Sequence, residues 1–231
     1  MRYIFIHHAL PEEMLRALSV YGKCISLPPF QKLPHPVSAH PDMLMANIGG
    51  TLIIHGEYGE GQQILRKNGI PFAISHTPVG KEYPNDVRLN FFTAGLCFFA
   101  NPRAVSADAR GLAENKNLRL VSVRQGYAKC ATAVAGGAIA TADTGIAKTA
   151  AREGLSVLLL KPHPISIEVY DTGFIGGACV AIENKLLFFG KIESYPQYEE
   201  LRDFFAQYGI TLVSLGEEPI FDYGGAIVFE G

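Results

Sequence analysis

Cys130 is the side chain in this sequence best suited to act as a nucleophile. It lies in the segment GYAKCATAV, where the ammonium group of Lys129 would favour the thiolate, the reactive form of cysteine. Neighbouring residues of a strand point to opposite faces, however, so Lys129 need not contact the sulfur. Cysteine is also among the residue types most often buried in cores. The segment therefore predicts either a catalytic thiol or a core residue. Core positions are predicted for the other three cysteines, Cys24, Cys97 and Cys179.

His40 and Asp42 have residue types and a spacing suited to acid–base chemistry. They lie two residues apart in the segment HPDMLMANIGG, immediately before an apolar run. A carboxylate beside a histidine fixes the imidazole tautomer and raises its basicity, so this pair predicts a general acid or base. Pro41 supports the alternative interpretation, a turn in which both side chains only cap backbone groups.

Further polar residues stand before the apolar runs of other segments and could bind a ligand. Asp86 and Asp222 are predicted to hold a cationic group, although aspartates before strands also form ordinary turns. Arg88 and Asn90 alternate with Asp86, so a strand would place all three on one face. Paired glycines allow close backbone approach or leave room for a ligand. The predicted ligand-binding residues are Asp86, Arg88, Asn90, Lys129, Gly176, Gly177 and Asp222.

Composition and motifs exclude several classes of function. The formal net charge is −2 over 231 residues, which leaves no basic excess for binding nucleic acid. No segment approaches the ~20 apolar residues of a membrane span, so no membrane partner is predicted. The histidines show no pair four residues apart on one helix and no glycine-rich phosphate loop occurs, so we predict neither a metal nor a cofactor. Scattered cysteines and a start without a long apolar stretch predict a cytoplasmic protein.

Internal repetition is the strongest structural signal in the chain. Stretches beginning at residues 40, 83, 126 and 173 each contain an apolar run, a short turn and a second apolar run, which is typical of a β-hairpin. A helical pattern and another short apolar strand follow each hairpin. The second runs of the four hairpins end about 45 residues apart. A strand–strand–helix–strand unit repeated at this period predicts an α/β fold.

The two ends of the chain supply a fifth unit between them. YGGAIV near the C-terminus resembles IGGACV at residues 175–180, while RYIFI, a helix and KCISL follow at the N-terminus. We therefore predict a single domain over residues 1–231. It would be an α/β propeller, a five-fold pseudosymmetric ring closed by the two termini, without exposed sheet edges. A doubly wound sheet would have single strands alternating with helices, and an open solenoid would have polar capping repeats.

The placement of side chains follows from this ring. The helices should lie outside, and the first hairpin strands should line the centre. The last predicted helix would bury Leu201 and Phe205 against its sheet and leave Arg202 in solvent. Ser106 and Thr144 are predicted N-caps of two other helices.

The predicted ring, together with His40-Pro41-Asp42, Lys129-Cys130 and the segment GFIGGA, resembles the pentein fold, also called the guanidine-modifying-enzyme fold. That superfamily includes arginine deiminases, agmatine deiminases, dimethylarginine dimethylaminohydrolases and amidinotransferases. The sequence resembles a family within it that has no assigned activity. The resemblance implies a central channel in which a cysteine attacks a guanidinium carbon, a His-x-Asp pair handles protons and carboxylates hold the cation.

What the resemblance implies for this chain is a thiol-dependent hydrolase or amidinotransferase acting on a small guanidino compound. Cys130 would be the nucleophile, partly exposed and unusually acidic. His40 would be the acid–base group and Asp42 would orient it, with Asp86 or Asp222 holding the cation. The enzymes typically carry their nucleophile in the last unit, which here contains no cysteine. The alternative is a non-catalytic ring that binds a protein or a small molecule, as in the translation factor that keeps ribosomal subunits apart.

Overall fold

The protein is an α/β structure in which fifteen short strands form five three-stranded sheets. The computed structural model describes residues 1–231. The strands are β1 (Arg2–His7), β2 (Lys23–Leu27), β3 (Met45–Ile48), β4 (Thr51–His55), β5 (Phe72–Ser75), β6 (Phe92–Ala94), β7 (Cys97–Ala100), β8 (Arg119–Ser122), β9 (Thr132–Ala135), β10 (Ala138–Thr141), β11 (Ser156–Leu159), β12 (Cys179–Ile182), β13 (Lys185–Phe188), β14 (Thr211–Ser214) and β15 (Ile227–Glu230). The helices are α1 (Glu12–Ser19), α2 (Pro41–Leu44), α3 (Gly59–Lys67), α4 (Ala107–Asn115), α5 (Thr144–Arg152) and α6 (Tyr198–Ala206), and two short 3₁₀ helices span His35–Val37 and Ile192–Ser194.

All five sheets share one strand order. The first strand pairs antiparallel with the second, and the second pairs parallel with the third. The sheets are β3-β4-β5, β6-β7-β8, β9-β10-β11, β12-β13-β14 and β15-β1-β2. Parallel neighbours need a crossover connection, and in every sheet an α-helix lies between the second and third strands. Each sheet is therefore built in the order strand, strand, helix, strand.

Tight two-residue turns join the first two strands of four sheets. Gly49-Gly50 connects β3 to β4 with φ angles of 54° and 83°, a left-handed conformation that glycine adopts without steric cost. Glu183 takes the corresponding place between β12 and β13 with φ of 56°. These short connections fix the register of each antiparallel pair.

The fifth sheet joins the two ends of the chain, as the sequence predicts. β15 pairs antiparallel with β1, from Arg2 opposite Glu230 to Phe5 opposite Ile227. The Arg2 guanidinium lies 2.7 Å from the Glu230 carboxylate and 2.9 Å from that of Glu183 in another sheet. Backbone pairing and this ion-pair cluster hold the terminal strands together.

The helix caps agree with the predicted boundaries, with one correction. Ser106 precedes α4 and accepts a hydrogen bond from the Ala109 N–H at 3.3 Å, as expected of an N-cap. The cap of α5 is Asp143 and not the predicted Thr144, because the Asp143 carboxylate accepts from the Ile146 N–H at 2.8 Å. Thr144 is the first residue inside that helix.

The core forms where the apolar faces of the helices meet the sheets. On α6, Leu201 and Phe205 are fully buried, whereas Glu200 and Arg202 are exposed. The predicted register of this helix is therefore confirmed. No helix of the chain combines the length and apolar character needed to cross a membrane.

First strands of different sheets lie next to one another. β15 is adjacent to β3, and β9 is adjacent to both β6 and β12. Residues of all five first strands line one cavity of about 240 Å³. One lining residue from each strand is, in chain order, Ala46, Thr93, Val134, Ala181 and Val228.

Replacing Phe205 with alanine should lower the free energy of unfolding by about 3–5 kcal/mol, because it leaves a cavity under α6. Arg202→Ala, on the exposed face of the same helix, should cost less than about 1 kcal/mol. Urea unfolding followed by circular dichroism measures both. Similar losses in the two variants would contradict the assigned helix face.

Candidate active site

Cys130 lies two residues before β9, in a tight turn held from outside by Asn90. The side-chain oxygen of Asn90, Oδ1, accepts hydrogen bonds from the backbone N–H groups of Lys129 and Cys130 at 2.9 and 3.2 Å. Its amide nitrogen lies 2.9 Å from the Cys130 sulfur and donates to the Asp42 carbonyl oxygen at 3.2 Å. One amide thus fixes the position of the thiol relative to the short helix α2.

The Cys130 thiol donates a hydrogen bond to Asp42 Oδ2 at 3.0 Å. Only 2% of Cys130 is exposed, and burial raises its pKa well above the usual value, with the nearby Asp42 and Asp222 carboxylates adding to the effect. The thiol is therefore protonated in the unliganded protein. The predicted partly exposed, unusually acidic thiol is therefore wrong: Cys130 is buried and its pKa is raised. The sequence does not show that two carboxyl groups are buried next to it.

Asp42 is the second member of this buried pair. It lies in the first turn of α2 and is 1% exposed. Burial raises the pKa of its carboxyl group to about 7, against the opposing charge of Lys129. Its Oδ1 atom is buried and has no hydrogen-bond donor. Asp42 is thus poised between the charged and neutral forms at neutral pH.

His40 precedes α2 and faces Asp222. Its Nδ1 atom lies 3.8 Å from Asp222 Oδ1, and burial together with the neighbouring His7 lowers the pKa of His40 to about 3. The contact therefore joins a neutral imidazole to a carboxyl group and is not an ion pair. Asp222 also accepts from the backbone N–H groups of Gly224 at 2.9 Å and Phe174 at 2.8 Å, and burial raises its pKa to about 6.

Lys129 and Cys130, although adjacent in sequence, line different cavities. The Lys129 ammonium donates to the Gly176 carbonyl oxygen at 2.9 Å and lies with Asp42 in the cavity between the first strands. Cys130 lines a second cavity, which Lys129 does not line. Lys129 therefore makes no hydrogen bond to the sulfur and acts on the site through its charge.

The second cavity, of about 280 Å³, collects the candidate catalytic side chains. His40, Cys130 and Asp222 all line it. Asp42 does not line this cavity, but it accepts a hydrogen bond from the Cys130 thiol, which does. The remaining lining residues are Val37, Met43, Tyr127, Ile167, Tyr170, Asp171, Thr172 and Phe174. Of the groups near the cavity, no cluster of His, Cys, Asp or Glu could hold a metal ion.

The structure separates the two residues Asp86 and Arg88, which the sequence places on one face. Asp86 is buried behind the cavity wall, where Oδ2 accepts a hydrogen bond from the Tyr127 hydroxyl and Oδ1 has no donor. Arg88 donates to the backbone carbonyl oxygens of Pro78 and Ala104 at 3.1 and 2.9 Å and does not line the cavity. The strand predicted around them begins only at β6, so their alternation does not apply.

Three glycines allow the backbone to approach these side chains. A Cβ atom on Gly177 would lie 2.0 Å from Asp222 Oδ1, and one on Gly176 would lie 2.3 Å from the Lys129 carbonyl oxygen. Gly224 has a φ of 75°, and a Cβ there would lie 2.3 Å from the Cβ of His40. The glycine pairs are therefore close-packing positions around Asp222 and His40.

Sequence reasoning missed the aromatic wall of the cavity. Tyr127 stands three residues before Cys130, a spacing that places it in the same tight turn, and its ring stacks on Phe174 at 6.0 Å. Tyr170 and Asp171 come from a segment without regular structure, for which no periodic pattern exists. His7 is visible only in three dimensions, where its ring lies 5.6 Å from that of His40.

Solved structures of three kinds of enzyme are similar to this chain. One is a dimethylarginine dimethylaminohydrolase, a histidine-to-glycine variant in an adduct with S-methyl-L-thiocitrulline, with a TM-score of 0.59, 14% identity and 98% of each chain covered. The second is an agmatine deiminase from C. jejuni, a cysteine-to-serine variant with substrate bound, with a TM-score of 0.59, 11% identity and coverage of 99% of this chain and 93% of the other. The third is an amidinotransferase from Microseira wollei in the saxitoxin biosynthetic pathway, with a TM-score of 0.53, 11% identity and coverage of 93% and 77%.

These neighbours are all pentein-fold proteins, and the chain studied here has the pentein fold. Within that class, a family model matches residues 5–227, so the chain belongs to DUF6873, a family of unknown function. No curated protein matches it in sequence.

The raised pKa of Asp42 should make stability depend on pH. An aspartate in the unfolded chain titrates near pH 4, whereas folded Asp42 titrates at about 7. Between these values the folded state holds a proton that the unfolded state has lost, so this contribution to stability falls as pH rises from 4 to 7. Relative to Asp42→Asn, the wild type should therefore lose stability across this interval and stay level above it. Denaturant unfolding at several pH values measures the difference, which the exposed Asp203→Asn control should not show.

Gly224→Ala should destabilise the protein more than Gly209→Ala. Both positions have similar positive φ angles, 75° and 70°, but a Cβ on Gly209 meets nothing within 4 Å, whereas one on Gly224 overlaps His40. The difference, about 1–3 kcal/mol for an overpacked buried site, isolates the clash from the backbone strain. Equal losses in chemical denaturation would show that His40 can move away freely.

Proposed function

We propose that this protein is a thiol-dependent hydrolase or amidinotransferase that acts on a small guanidino compound. Cys130 is the nucleophile in this proposal, Asp42 accepts the thiol proton, and His40, oriented by Asp222, activates water or an acceptor amine. Asp42 and Asp222 hold the guanidinium group.

The observation that carries the proposal is the buried hydrogen bond between Cys130 and Asp42, next to a cavity that Asp222 lines. Asp42 Oδ1 is buried without a hydrogen-bond partner, and the nearby Asp222 carboxyl group lines the cavity. Unsatisfied buried acceptors are costly, so such groups in a folded protein call for a ligand or a function. A guanidinium ion is planar, positively charged and rich in N–H donors, and is therefore matched to this pair of carboxyl groups.

A bound cation would also supply the positive charge that Cys130 needs to form a thiolate. Burial and two carboxylates raise the pKa of Cys130, and burial raises that of Asp42. A positive charge beside them favours both charged forms and so lowers both pKa values. The thiolate would form mainly when the substrate is present, which keeps the free thiol protonated and unreactive towards other electrophiles.

In the proposed reaction, Cys130, Asp42 and His40 carry out every proton transfer and bond change. The Cys130 thiol gives its proton to Asp42, and the sulfur bonds to the guanidinium carbon. One C–N bond of the tetrahedral adduct breaks, and the departing ammonia or amine takes the proton from Asp42. A covalent S-linked amidinium remains. His40, neutral because its pKa is lowered to about 3, takes a proton from water or an acceptor amine as that nucleophile attacks. The carbon–sulfur bond then breaks, the product leaves, and the departing Cys130 thiolate takes the proton back from His40.

The structural neighbours support this chemistry. The molecules bound to them are S-methyl-L-thiocitrulline, citrulline and the substrate of an agmatine deiminase, and two of the complexes are of cysteine-to-serine variants. The citrulline complex is that of a dimethylarginine dimethylaminohydrolase from Pseudomonas aeruginosa, with a TM-score of 0.57, 13% identity and 98% of each chain covered. These ligands share a planar carbon centre bonded to nitrogen, as the proposed substrate does.

The proposal includes a single domain in which the five sheets close into a ring. It is supported by the cavity that all five first strands line and by the sheet that the two chain ends share. In such a ring Cys130, Asp42 and Asp222, which belong to three different units, meet at the centre. The cavity that contains the thiol and the one that contains Lys129 would be the two halves of a central channel.

A second candidate function is a binding protein for the same cations without turnover. The observation that favours it is the buried, protonated state of Cys130 in the unliganded protein. Saturable covalent labelling separates the two functions.

A chloroacetamidine reagent, which carries an amidinium beside an electrophilic carbon, should label Cys130 with saturable kinetics at pH 7. Cys130→Ser should abolish labelling, and Asp42→Asn, which removes the acceptor of the thiol proton, should slow it at least tenfold. Cys179→Ser, which removes a thiol that is equally buried, should leave the rate unchanged. Peptide mapping by mass spectrometry identifies the site.

Turnover is tested on a panel of alkylguanidines by measuring released ammonia, amine and ureido product. Label spread over several cysteines, or present only after unfolding, would exclude a catalytic Cys130. Saturable ligand protection without any product would favour the binding protein.

A further inference from the structure

A closed loop, residues 165–173, forms one side of the cavity and is fixed directly to Asp222. The Gly173 N–H donates to the Ile165 carbonyl oxygen at 2.7 Å, which closes the base of the loop. The Asp222 N–H donates to the Ser166 carbonyl oxygen at 2.8 Å. A Cβ atom on Gly173 would lie 2.5 Å from the Cβ of Asp222. The loop therefore has a defined position relative to the candidate catalytic groups.

The outer part of this loop presents Tyr170 and Asp171 to the cavity. Val169, immediately before them, has a φ of 69°, which is unfavourable for a β-branched residue. Such backbone strain persists where the surrounding structure enforces it and is concentrated at ligand sites. The Asp171 side chain is exposed and makes no ion pair with any Lys or Arg. Its charge is thus free to act on a ligand in the cavity.

The charges around the cavity have one sign. Two carboxyl groups, Asp171 and Asp222, line it, and neither Lys nor Arg does. His40 is neutral at pH 7 because burial lowers its pKa. The other polar boundaries are the hydroxyl groups of Tyr127 and Tyr170, whose rings also offer faces that attract cations. A carboxylate on the ligand would find no positive partner here, whereas an ammonium would.

We propose that Asp171 is a specificity-determining residue that selects a ligand with two positive charges, a guanidinium at one end and an amine at the other. The substrate class is then the aminoalkylguanidines and not guanidino acids. This inference rests on the proposed function in one respect, since the guanidinium end is taken to lie at Cys130 and Asp42.

Three probes of equal chain length test the preference: 4-aminobutylguanidine, butylguanidine and 4-guanidinobutanoate. Their affinities are measured by calorimetry on the Cys130→Ser variant, which cannot turn them over. The amine-ended probe should bind about three- to tenfold more tightly than the uncharged one, the range expected of a partly exposed charge pair and a cation–π contact. The carboxylate-ended probe should bind most weakly. Adding Asp171→Asn should bring the first two within about twofold, and Asp203→Asn, at an exposed carboxylate on α6, should change nothing.

The outcomes distinguish this inference from the proposed function. If all three probes bind equally, or if their order survives Asp171→Asn, the specificity role of Asp171 is wrong and guanidino binding stands. If no guanidino probe binds but 1,4-diaminobutane binds in a manner that depends on Asp171, the proposed function is wrong and the cation-selecting role stands. If none of the four compounds binds, both are wrong.

Discussion

The amide of Asn90 is the contact on which the rest of the site depends. Asn90 precedes β6, and its side-chain amide accepts from the backbone N–H groups of Lys129 and Cys130 and donates to the Asp42 carbonyl oxygen and towards the Cys130 sulfur. Because Asn90 is 2% exposed, solvent water cannot replace these hydrogen bonds, and together they hold the segments at Asp42 and Cys130 in place. An aspartate in its place would lose the donor, and an apolar side chain would leave two backbone donors unpaired.

Burial acts in opposite directions on the two kinds of acid–base group in the site. It raises the pKa of Asp42 to about 7 and lowers that of His40 to about 3, because in both cases it disfavours the charged form. The unliganded site is therefore close to neutral: a protonated thiol, a neutral imidazole and a carboxyl group near its titration point. Burying these nearly neutral groups costs less free energy than burying several charged groups would.

The sequence predicted the architecture better than the site. Hairpins and helices follow from local patterns, such as paired glycines at β3–β4 and the Leu201–Phe205 face of α6, and the pairing of β15 with β1 follows from the need to cover two edge strands. The His-x-Asp segment and Cys130 were found by residue type, and the structure brings both to one cavity wall. The burial of the Cys130 thiol could not be predicted, because it depends on contacts with residues forty or more positions away. The position of Arg88 outside the cavity could not be predicted either, because it depends on where β6 begins. The identity of a helix cap, Asp143 against Thr144, was decided by a single hydrogen bond.

The sheet that unites both ends of the chain has a consequence for biosynthesis. β1 is synthesised before its antiparallel partner β15, which follows more than two hundred residues later in the chain. At typical elongation rates this leaves the N-terminal strand without that neighbour for tens of seconds. During this time the exposed edge of RYIFIH must avoid other strands, and Arg2 at its start, charged before its two glutamate partners exist, provides electrostatic protection against them. Arg2 thus has two roles: it forms ion pairs in the folded protein, and its charge disfavours strand pairing by the nascent chain.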